Sequence, residues 1–457
     1  MLGREILHNK LKIYLWQGFF ILLAAFMLIF SYCMQTGKIA FKSDIIRIGD
    51  SLSITLQTSE LGSIFATLIS TLYFCSLIYC FGYNKEYHNT SKIRFNMLYA
   101  FSAIIAFLIA LSADLFTMFI FYETLTIATY PLICFTKTKE SVASARKYLL
   151  YLVTPSFLLL MPAIMYIYHK CGHVDFIPGG ILNGHGINPI HKEILYLCMI
   201  YGIGKIALFP LHGWLPIAMV ASIPVSGLLH AVAVVKSGIF MVISITYYIF
   251  GASSLHDTVE LFFGNNWLMW LGSIGVLIAS LLAFRTHNIK SRLAYSTIAH
   301  LSIIISIIAS FNEDAIKLAM YYALGHGMAK ILLFYSTGII NKATHKTTVL
   351  DINGYGNLVP FGFVTFFIGV LAIAGVHGFV FCSVKHQVVK FASHYHYNLI
   401  LFNMAVSTIA SAIYLGKIPY YAFVKTIQAD YTIHKVDYRM KLSVLMIIAL
   451  NVGFYFL

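Results

Sequence analysis

Five ionisable residues lie inside long apolar runs, and they are the residues of this sequence best placed to do chemistry. They are one acid, Glu123, and the lysines Lys205, Lys236, Lys330 and Lys385. A charge in the hydrocarbon core of a bilayer costs roughly 2.5 to 3.5 kcal/mol on insertion scales, so such residues are rare there and mark ion pathways or proton relays. The chemistry they indicate is the movement of charge across a membrane.

Two histidines share these apolar runs with the lysines. His326 precedes Lys330 by four residues, which places both on one face of a helix, whereas His230 and Lys236 are six residues apart and lie well apart around theirs. Because histidine titrates near neutrality, it suits a relay between two proton sites. For each histidine, a structural hydrogen bond between helices is the alternative.

Glu123, together with a nearby lysine, is the candidate for a switchable ion pair. Burial disfavours the charged form of each group, and an opposite charge nearby favours it, so a pair whose separation changes takes up and releases protons. Two alternatives remain open: a static buried ion pair that only fixes helix packing, and a lysine that snorkels from a helix end to the interface.

Two apolar runs are interrupted by helix breakers close to a lysine. The first has the sequence GKIALFPLHGWLP (204–216), and the second has the sequence AGVHGFVFCSVK (374–385). Proline and glycine interrupt regular helices, and backbone groups freed at membrane depth must be buried in protein or face water. Paired interrupted helices in two halves of a chain are typical of transporters built from repeats.

The composition is that of a membrane protein. Hydrophobic residues make up 59% and charged residues 11% of the 457 residues, against about 25% charged in a soluble domain. The formal charge of +14 is spread over loops that flank apolar runs, which argues against nucleic-acid binding. The seven cysteines form no C-x-x-C pair, and His386, His394 and His396 have no carboxylate or thiol beside them. The sequence therefore predicts no cofactor and no metal.

The apolar runs predict an all-α polytopic membrane protein with about thirteen transmembrane helices. The first run, Ile13 to Cys33, is longer than a signal-peptide core and is interpreted as a retained helix. The predicted helices centre on or include Phe20, Leu72, Ile104, Glu123, 147–168, Lys205, His230 with Lys236, Leu277, Ile304, Leu332, the interrupted run ending in Lys385, Ala405, and 442–457.

The positions of the basic residues predict the orientation. With thirteen crossings, twenty Lys and Arg residues fall on one side, seven fall on the other, and four lie inside apolar runs. Because Lys and Arg accumulate in cytoplasmic loops, this split predicts a cytoplasmic N-terminus and an external C-terminus. We expect a multi-pass protein of the bacterial cell membrane or an equivalent inner membrane.

In order along the chain, these motifs resemble the antiporter-like membrane subunits shared by respiratory complex I and Mrp-type monovalent cation/proton antiporters. The resemblance covers roughly residues 45 to 440. Its motifs are Glu123, the segment 204–216, the segment ASIPVSGLLHA (221–231) with Lys236, AYSTI (294–298), His326 with Lys330, and 375–385. It implies two inverted five-helix repeats with broken helices, at 95–250 and 266–416. N-terminal helices and a loop (1–94) precede them, and a C-terminal loop and last helix (417–457) follow.

Within this superfamily, the segment Leu228 to Phe240 looks most like the D family of antiporter subunits, and a lysine at 385 rather than a glutamate agrees with that. The resemblance implies a proton-translocating subunit of a multi-subunit monovalent cation (Na+)/H+ antiporter. Its partners would be other membrane subunits, the lipid bilayer, protons and a monovalent cation. Proton translocation would fall to Glu123, Lys205, His230, Lys236, His326, Lys330 and Lys385. In this interpretation Glu123 and Lys205 form the first switchable pair.

The alternative is a proton-pumping membrane subunit of a complex I-like NADH:quinone oxidoreductase, which is part of an enzyme but not an enzyme by itself. The sequence also departs from the family pattern in three places. Ile217 stands where aspartate is usual, His377-Gly378 replaces Pro-Pro, and one helix precedes the match where two are usual. A third interpretation, a scaffold that has lost conduction, rests on these departures.

Overall fold

Helices make up nearly all of the regular structure. The computed structural model describes residues 2–48, 52–256, 266–424 and 433–455. Within these ranges, ten helices are long and apolar enough to cross a membrane. In hydrocarbon every backbone group needs a partner within the protein, and a helix supplies these partners within one segment. The prediction of an all-α polytopic membrane protein is confirmed.

The N-terminal part contains a β-hairpin that the sequence did not predict. Helix α1 (Leu2–Gln35) is followed by β1 (Lys42–Ile48) and β2 (Leu52–Gln57), which pair antiparallel, and then by α2 (Glu60–Tyr83). A hydrogen bond joins the hairpin to a neighbouring helix end, because Gln57 donates its N–H to the Leu111 carbonyl at 2.7 Å. Two isolated strands are marginal in water, so this hairpin depends on the helix ends beneath it.

Five helical segments follow in the range predicted for the first repeat. They are α3 (Asn89–Ala110), α4 (Leu115–Ile133), α5 (Lys139–Cys171), α6 (Pro189–Gly202) and α7 (Ile223–Phe250). Between α6 and α7 the chain makes short helical turns, among them Trp214–Ile217, and the short helix Ala252–His256 follows α7.

The second range supplies five segments as well, one of them in two pieces. They are α8 (Trp267–Arg285), α9 (Ile289–Ile308), α10 (Glu313–Thr344), the pair α11 (Pro360–Ala374) and α12 (Val380–His394), and α13 (Asn398–Val424). The last helix is α14 (Tyr438–Gly453). The inverted relation between the two sets of five stays a prediction.

Each of the thirteen predicted segments corresponds to a helix or a broken helix. Three of these segments are short. Helix α6 has 14 residues, the two pieces of the broken segment, α11 and α12, have 15 each, and α14 has 16. A span of the bilayer takes about 20 residues, so length alone does not assign these three as crossings. The count of thirteen therefore stays a prediction.

The core lies along α7, α9 and α10, which are almost wholly buried, whereas α1 is mostly exposed. Helix α10 contacts α9, α11, α12 and α14 and also reaches α2 and α7. Its central position brings residues of the second range against those of the first.

Ion pairs join loops that the sequence places on the same side of the membrane. On the predicted cytoplasmic side, Lys342 Nζ lies 2.7 Å from Glu86 Oε2. On the predicted external side, Lys317 Nζ lies 2.9 Å from Glu60 Oε1. The grouping of the loops agrees with the charge count, and the assignment of one face to the cytoplasm stays a prediction.

Candidate functional site

Helix α4 carries Glu123 into the protein interior. The helix begins after Asp114, whose side chain accepts a hydrogen bond from the Thr117 N–H at 2.7 Å and so caps the first turn. Glu123 is 8% exposed, and its Oε1 accepts a hydrogen bond from Ser156 Oγ at 2.7 Å. Its Oε2 has no hydrogen-bond partner among the described residues. One oxygen is therefore fixed and the other is available.

Ser156 reaches Glu123 because α5 is distorted at that point. Pro155 lacks an N–H to continue the helical ladder, and the residues after it, Ser156–Leu160, form a π-helical turn. Single π turns within α-helices are frequent at functional sites. The turn places the serine hydroxyl against the carboxylate.

At the break after α6, a nearby side chain satisfies a backbone group that the helix no longer bonds. Helix α6 ends at Gly202, the turn Gly204–Ile206 carries Lys205, and Ala207 adopts a left-handed backbone conformation with φ +49°. The Trp214 indole donates to the Gly204 carbonyl at 3.0 Å, which satisfies a backbone group freed by the break.

The side chain of Lys205 turns to the neighbour of Glu123 and not to Glu123 itself. Its Nζ donates to the Tyr122 carbonyl and lies 3.1 Å from the centroid of the Tyr122 ring. No salt bridge within 4.0 Å joins the Lys205 ammonium to the Glu123 carboxylate in the described structure, although the two groups interact electrostatically. The predicted pair is thus close, with the lysine held by a neutral carbonyl.

Helix α7 carries the next two bases. His230 lies on a second π-helical turn, Leu228–Val232, and its ring is tilted against Phe334 with centroids 4.9 Å apart. Neither ring nitrogen of His230 has a hydrogen-bond partner among the described residues. Lys236 lies on the regular segment that follows, Val234–Ser244. As their spacing of six residues predicts, the His230 and Lys236 side chains are not hydrogen-bonded to each other.

Lys236 joins the two halves of the chain. Its Nζ lies 2.8 Å from His326 Nδ1 of α10. His326 is fully buried and Lys236 is 1% exposed. The close approach of the helices requires Gly327. A Cβ there would lie 3.1 Å from the Ala231 carbonyl oxygen and 3.4 Å from Lys236 Cε. The glycine beside the histidine therefore sets the spacing of this contact.

Beyond His326 the contacts continue to a third histidine. The rings of His326 and His300 have centroids 4.9 Å apart, and His300 Nδ1 lies 2.9 Å from the Tyr322 hydroxyl. Lys330, on the same face of α10 as His326, donates from Nζ to the Leu293 carbonyl of α9 at 3.2 Å. The predicted pairing of His326 with Lys330 on one face is therefore observed, and both side chains turn toward α9.

Lys385 lies at the second break, with its ammonium against the end of α11. Its Nζ donates to the Ile373 carbonyl and to Thr408 Oγ1, both at 2.9 Å. Carbonyls at the end of a half-helix in the membrane favour a cation. Gly375 and Gly378 form the break with φ +83° and +95°. The replacement of Pro-Pro at 377–378 has thus kept the interruption.

An aromatic ring separates Lys385 from the histidines. The centroid of Phe381 lies 5.8 Å from that of His300 and 4.8 Å from that of Tyr322. Lys385 Nζ lies 5.1 Å from the same centroid. We call the buried polar residues from Glu123 to Lys385 the axis; they are Glu123, Lys205, Lys236, His326, His300, Tyr322 and Lys385. The Phe381 ring interrupts it near its end.

The axis consists of five nitrogen bases, one phenol (Tyr322) and one carboxylate. Among the described residues, no group of three or more His, Cys, Asp or Glu side chains is placed to hold a metal ion. Buried amines and imidazoles in hydrogen-bond contact accept a proton on one side and donate one on the other. The chemistry open to such groups is the uptake and release of protons.

Comparison with known proteins places the chain in a family. A family model described as "NADH:quinone oxidoreductase/Mrp antiporter, TM" matches residues 112–413, which is most of the chain and includes every residue of the axis. The chain belongs to this family of membrane subunits. The resemblance found in the sequence motifs is confirmed.

Curated relatives of this family match over part of their length. The NAD(P)H-quinone oxidoreductase chain 4 3 of Picosynechococcus sp. is 32% identical over 62% of this chain and 50% of its own. The chloroplastic NAD(P)H-quinone oxidoreductase subunit 5 of Chara vulgaris is 28% identical over 83% of this chain and 58% of its own. The chain thus spans about half the length of the relatives it matches.

A solved structure shares the fold of this family member. It is that of the membrane-bound sulfane sulfur reductase, an archaeal respiratory membrane complex, and it aligns with a TM-score of 0.80. The alignment covers 96% of this chain and 88% of the other, at 20% identity.

The sequence motifs of the family led to seven residues, and the structure links them unequally. Lys236 and His326 are hydrogen-bonded, Glu123 and Lys205 are close but unpaired, and His230 has no polar contact. His300, Ser156 and Tyr322 were missed. His300 lies two residues after the AYSTI motif in an apolar run, so its burial was a signal, but no lysine near it in sequence drew attention to it.

We expect the replacement of His300 with phenylalanine to slow proton translocation by about tenfold or more. The imidazole is the group between His326 and Tyr322, and a positioned acid or base contributes about 10²- to 10⁴-fold to a proton transfer. Phenylalanine keeps the ring and the packing against Phe381. The measurement is the initial rate of acidification in proteoliposomes, with Tyr295→Phe on the same helix as the matched control. An unchanged rate would remove His300 from the path.

Proposed function

We propose that this chain is a proton-translocating membrane subunit of a complex I-like, multi-subunit NAD(P)H:quinone oxidoreductase. The observation that carries the proposal is the contact between Lys236 and His326, because it continues a buried series of bases from one half of the chain into the other. The names of the curated relatives support the oxidoreductase assembly. Redox chemistry belongs to partner subunits in this proposal, and this chain carries protons.

Protons enter the mechanism at Glu123 and Lys205. When Lys205 Nζ leaves the Tyr122 carbonyl for the free oxygen of Glu123, the ion pair stabilises the charge on both groups. When it returns, Glu123 is left unpaired in a buried site and takes up a proton. Each movement of the Lys205 ammonium shifts positive charge close to α7, because Gly238 of α7 packs against the Lys205 backbone.

Protons then pass along the second part of the axis. Lys236 and His326 exchange a proton directly across 2.8 Å. The ring centroids of His326 and His300 lie 4.9 Å apart and neither Nε2 has a partner among the described residues, so the proton passes to His300 when rotation of the rings brings the two nitrogens into hydrogen-bond contact. Lys330 and His230 flank this stretch and interact electrostatically with Lys236. Since like charges repel in a buried site, a proton on one lysine favours release of the proton from the neighbouring lysine. Movement of the Phe381 ring would admit the proton to Lys385.

The axis suits a proton better than a sodium ion. Three lysines of the axis, the flanking Lys330 and a single carboxylate give a sodium ion repulsion at most positions along the path. A sodium ion also prefers oxygen ligands, and the described axis offers mainly nitrogen.

A second candidate is the Mrp-type monovalent cation/proton antiporter that the sequence favoured. The matching family includes both kinds of complex, and residue 385 is a lysine, as in the antiporter subunits that the sequence resembles. In that case the sodium pathway would lie outside the axis or in a partner subunit.

Purification of the assembly from its native membrane distinguishes the two candidates. With an affinity tag on this chain, we expect flavin- and iron-sulfur-containing subunits to copurify, with their absorbance in the purified complex. Companions restricted to small membrane proteins, together with sodium-dependent proton exchange in vesicles, would instead establish the antiporter. In either assembly we expect multi-pass integration into the bacterial cell membrane or an equivalent inner membrane, with the N-terminus in the cytoplasm.

A further inference from the structure

A groove lies between the C-terminal end of α10, the first turn of α11 and the start of α14. It has a volume of about 450 Å³, in the range of small-molecule pockets in proteins. Its floor is apolar and is formed by Ile339, Ala343, Val359 and Phe361. All three helix ends belong to the side that the loop charges assign to the cytoplasm. The groove therefore opens at the level of the lipid headgroups on that side.

The rim of the groove is basic. Lys435 and Lys441 line it and are exposed, and His434 lies between them and α10. The segment is fixed there, because the His434 N–H donates to the Ala343 carbonyl at 3.0 Å. The Lys441 ammonium lies 5.7 Å from the centroid of the Phe361 ring. The positive charges thus stand directly at the border of the apolar floor.

These two lysines lack the acidic partners that their neighbours have. Lys342 pairs with Glu86, while Lys85 and Arg439 share Asp437 at 3.2 and 2.9 Å. Burial favours the neutral form of Asp437, but hydrogen bonds from Arg439 and Lys85 outweigh it and lower its pKa to about 2. In the described part of the chain, neither Lys435 nor Lys441 has a carboxylate within 4.0 Å. The groove therefore presents uncompensated positive charge.

We propose that this groove binds an anionic phospholipid, with the phosphate of the headgroup on Lys435 and Lys441 and an acyl chain along the apolar floor. The charge is complementary to an anionic headgroup, and basic pockets between membrane helices on the cytoplasmic side bind such lipids. A free phosphate ion would use the lysines and leave the apolar floor exposed to water. A zwitterionic lipid would use the floor and leave the charge uncompensated. The location of the groove, remote from the axis, makes this inference independent of the proposed function.

The test measures lipid retained by the purified assembly. The assembly is incubated with vesicles of phosphatidylglycerol and phosphatidylcholine in equal amounts, extracted in mild detergent, and analysed by native mass spectrometry. We expect retained phosphatidylglycerol in the wild type and a loss of about tenfold or more in the double variant Lys435→Gln/Lys441→Gln, since each basic residue near a membrane surface adds appreciably to the attraction. The matched control is Lys137→Gln/Lys139→Gln, which removes two exposed charges from the same predicted face outside the groove.

Three results would overturn the proposal. They are equal retention of phosphatidylglycerol in the wild type and the Lys435→Gln/Lys441→Gln variant, an equal loss in the control variant, and equal retention of phosphatidylcholine. A further arm adds millimolar inorganic phosphate to the wild type. Full displacement of the lipid would assign the site to phosphate and so also contradict the proposal, whereas retention supports it. The thermal unfolding midpoints of all variants exclude loss of fold as the cause.

Discussion

Replacement of Lys236 with methionine is expected to reduce proton translocation by about 10²-fold or more, to the background of the vesicles. Lys236 is the axis residue of α7 that contacts α10 through a hydrogen bond, at 2.8 Å to His326. Methionine has a similar length and no proton to exchange, so the path between the halves is cut. The measurement is the rate of acidification in proteoliposomes of the purified assembly.

The Lys236→Met variant leaves His326 Nδ1 without its partner, which costs about 1 to 3 kcal/mol, so the yield and thermal unfolding midpoint of the purified assembly are measured beside the rate. The matched control is Lys317→Gln, an exposed lysine near the N-terminal end of α10 whose ion pair with Glu60 adds little stability. We expect the control to translocate protons at the wild-type rate. Full activity in Lys236→Met would show that protons bypass the contact between the halves.

Replacement of Glu123 with glutamine is the second large effect that we expect. Glutamine keeps the shape of the side chain and the hydrogen bond from Ser156, but it carries no negative charge and cannot release a proton. Lys205 then has no carboxylate with which to form an ion pair. Translocation should fall by about 10²-fold, while the assembly still forms. The measurement combines the acidification rate with the yield of the purified assembly.

A serine variant separates the two roles of this site. Ser156→Ala removes only the hydrogen bond to Oε1, so we expect a modest decrease in the same acidification assay, much smaller than that of Glu123→Gln. Equal losses in the two variants would show that the site depends on a fixed network and not on the proton of Glu123. That outcome would favour the static ion pair considered in the sequence analysis.

The positions of the buried charges were predictable because a membrane makes them expensive. Glu123 and the four lysines stand out from apolar runs by residue type alone, and the sequence found each of them. The two breaks were predictable as well, since glycine and proline interrupt a helix wherever it lies. At 377–378 the glycine alone was enough, with φ +95° at Gly378.

The partners of these charges were not predictable, because they depend on distortions and on neighbouring helices. Ser156 reaches Glu123 only through the π turn after Pro155, and the Tyr122 carbonyl that holds Lys205 belongs to no side-chain motif. His300 was missed because no lysine lies close to it in the apolar run, and its contacts with His326 and Tyr322 come from a neighbouring helix. The β-hairpin was also missed, since its strands are stabilised by the helix ends below them and not by their own length.

The central claim is that the buried axis carries protons and needs no metal cation, and a sodium-free measurement tests it most directly. The purified assembly is reconstituted with quinone in liposomes in choline buffer, NAD(P)H is added, and the internal pH is followed with a fluorescent dye. The account predicts a pH change in the wild type that is as fast without sodium as with it, and none in Lys236→Met. A pH change that requires sodium, or that persists in Lys236→Met, would contradict the account.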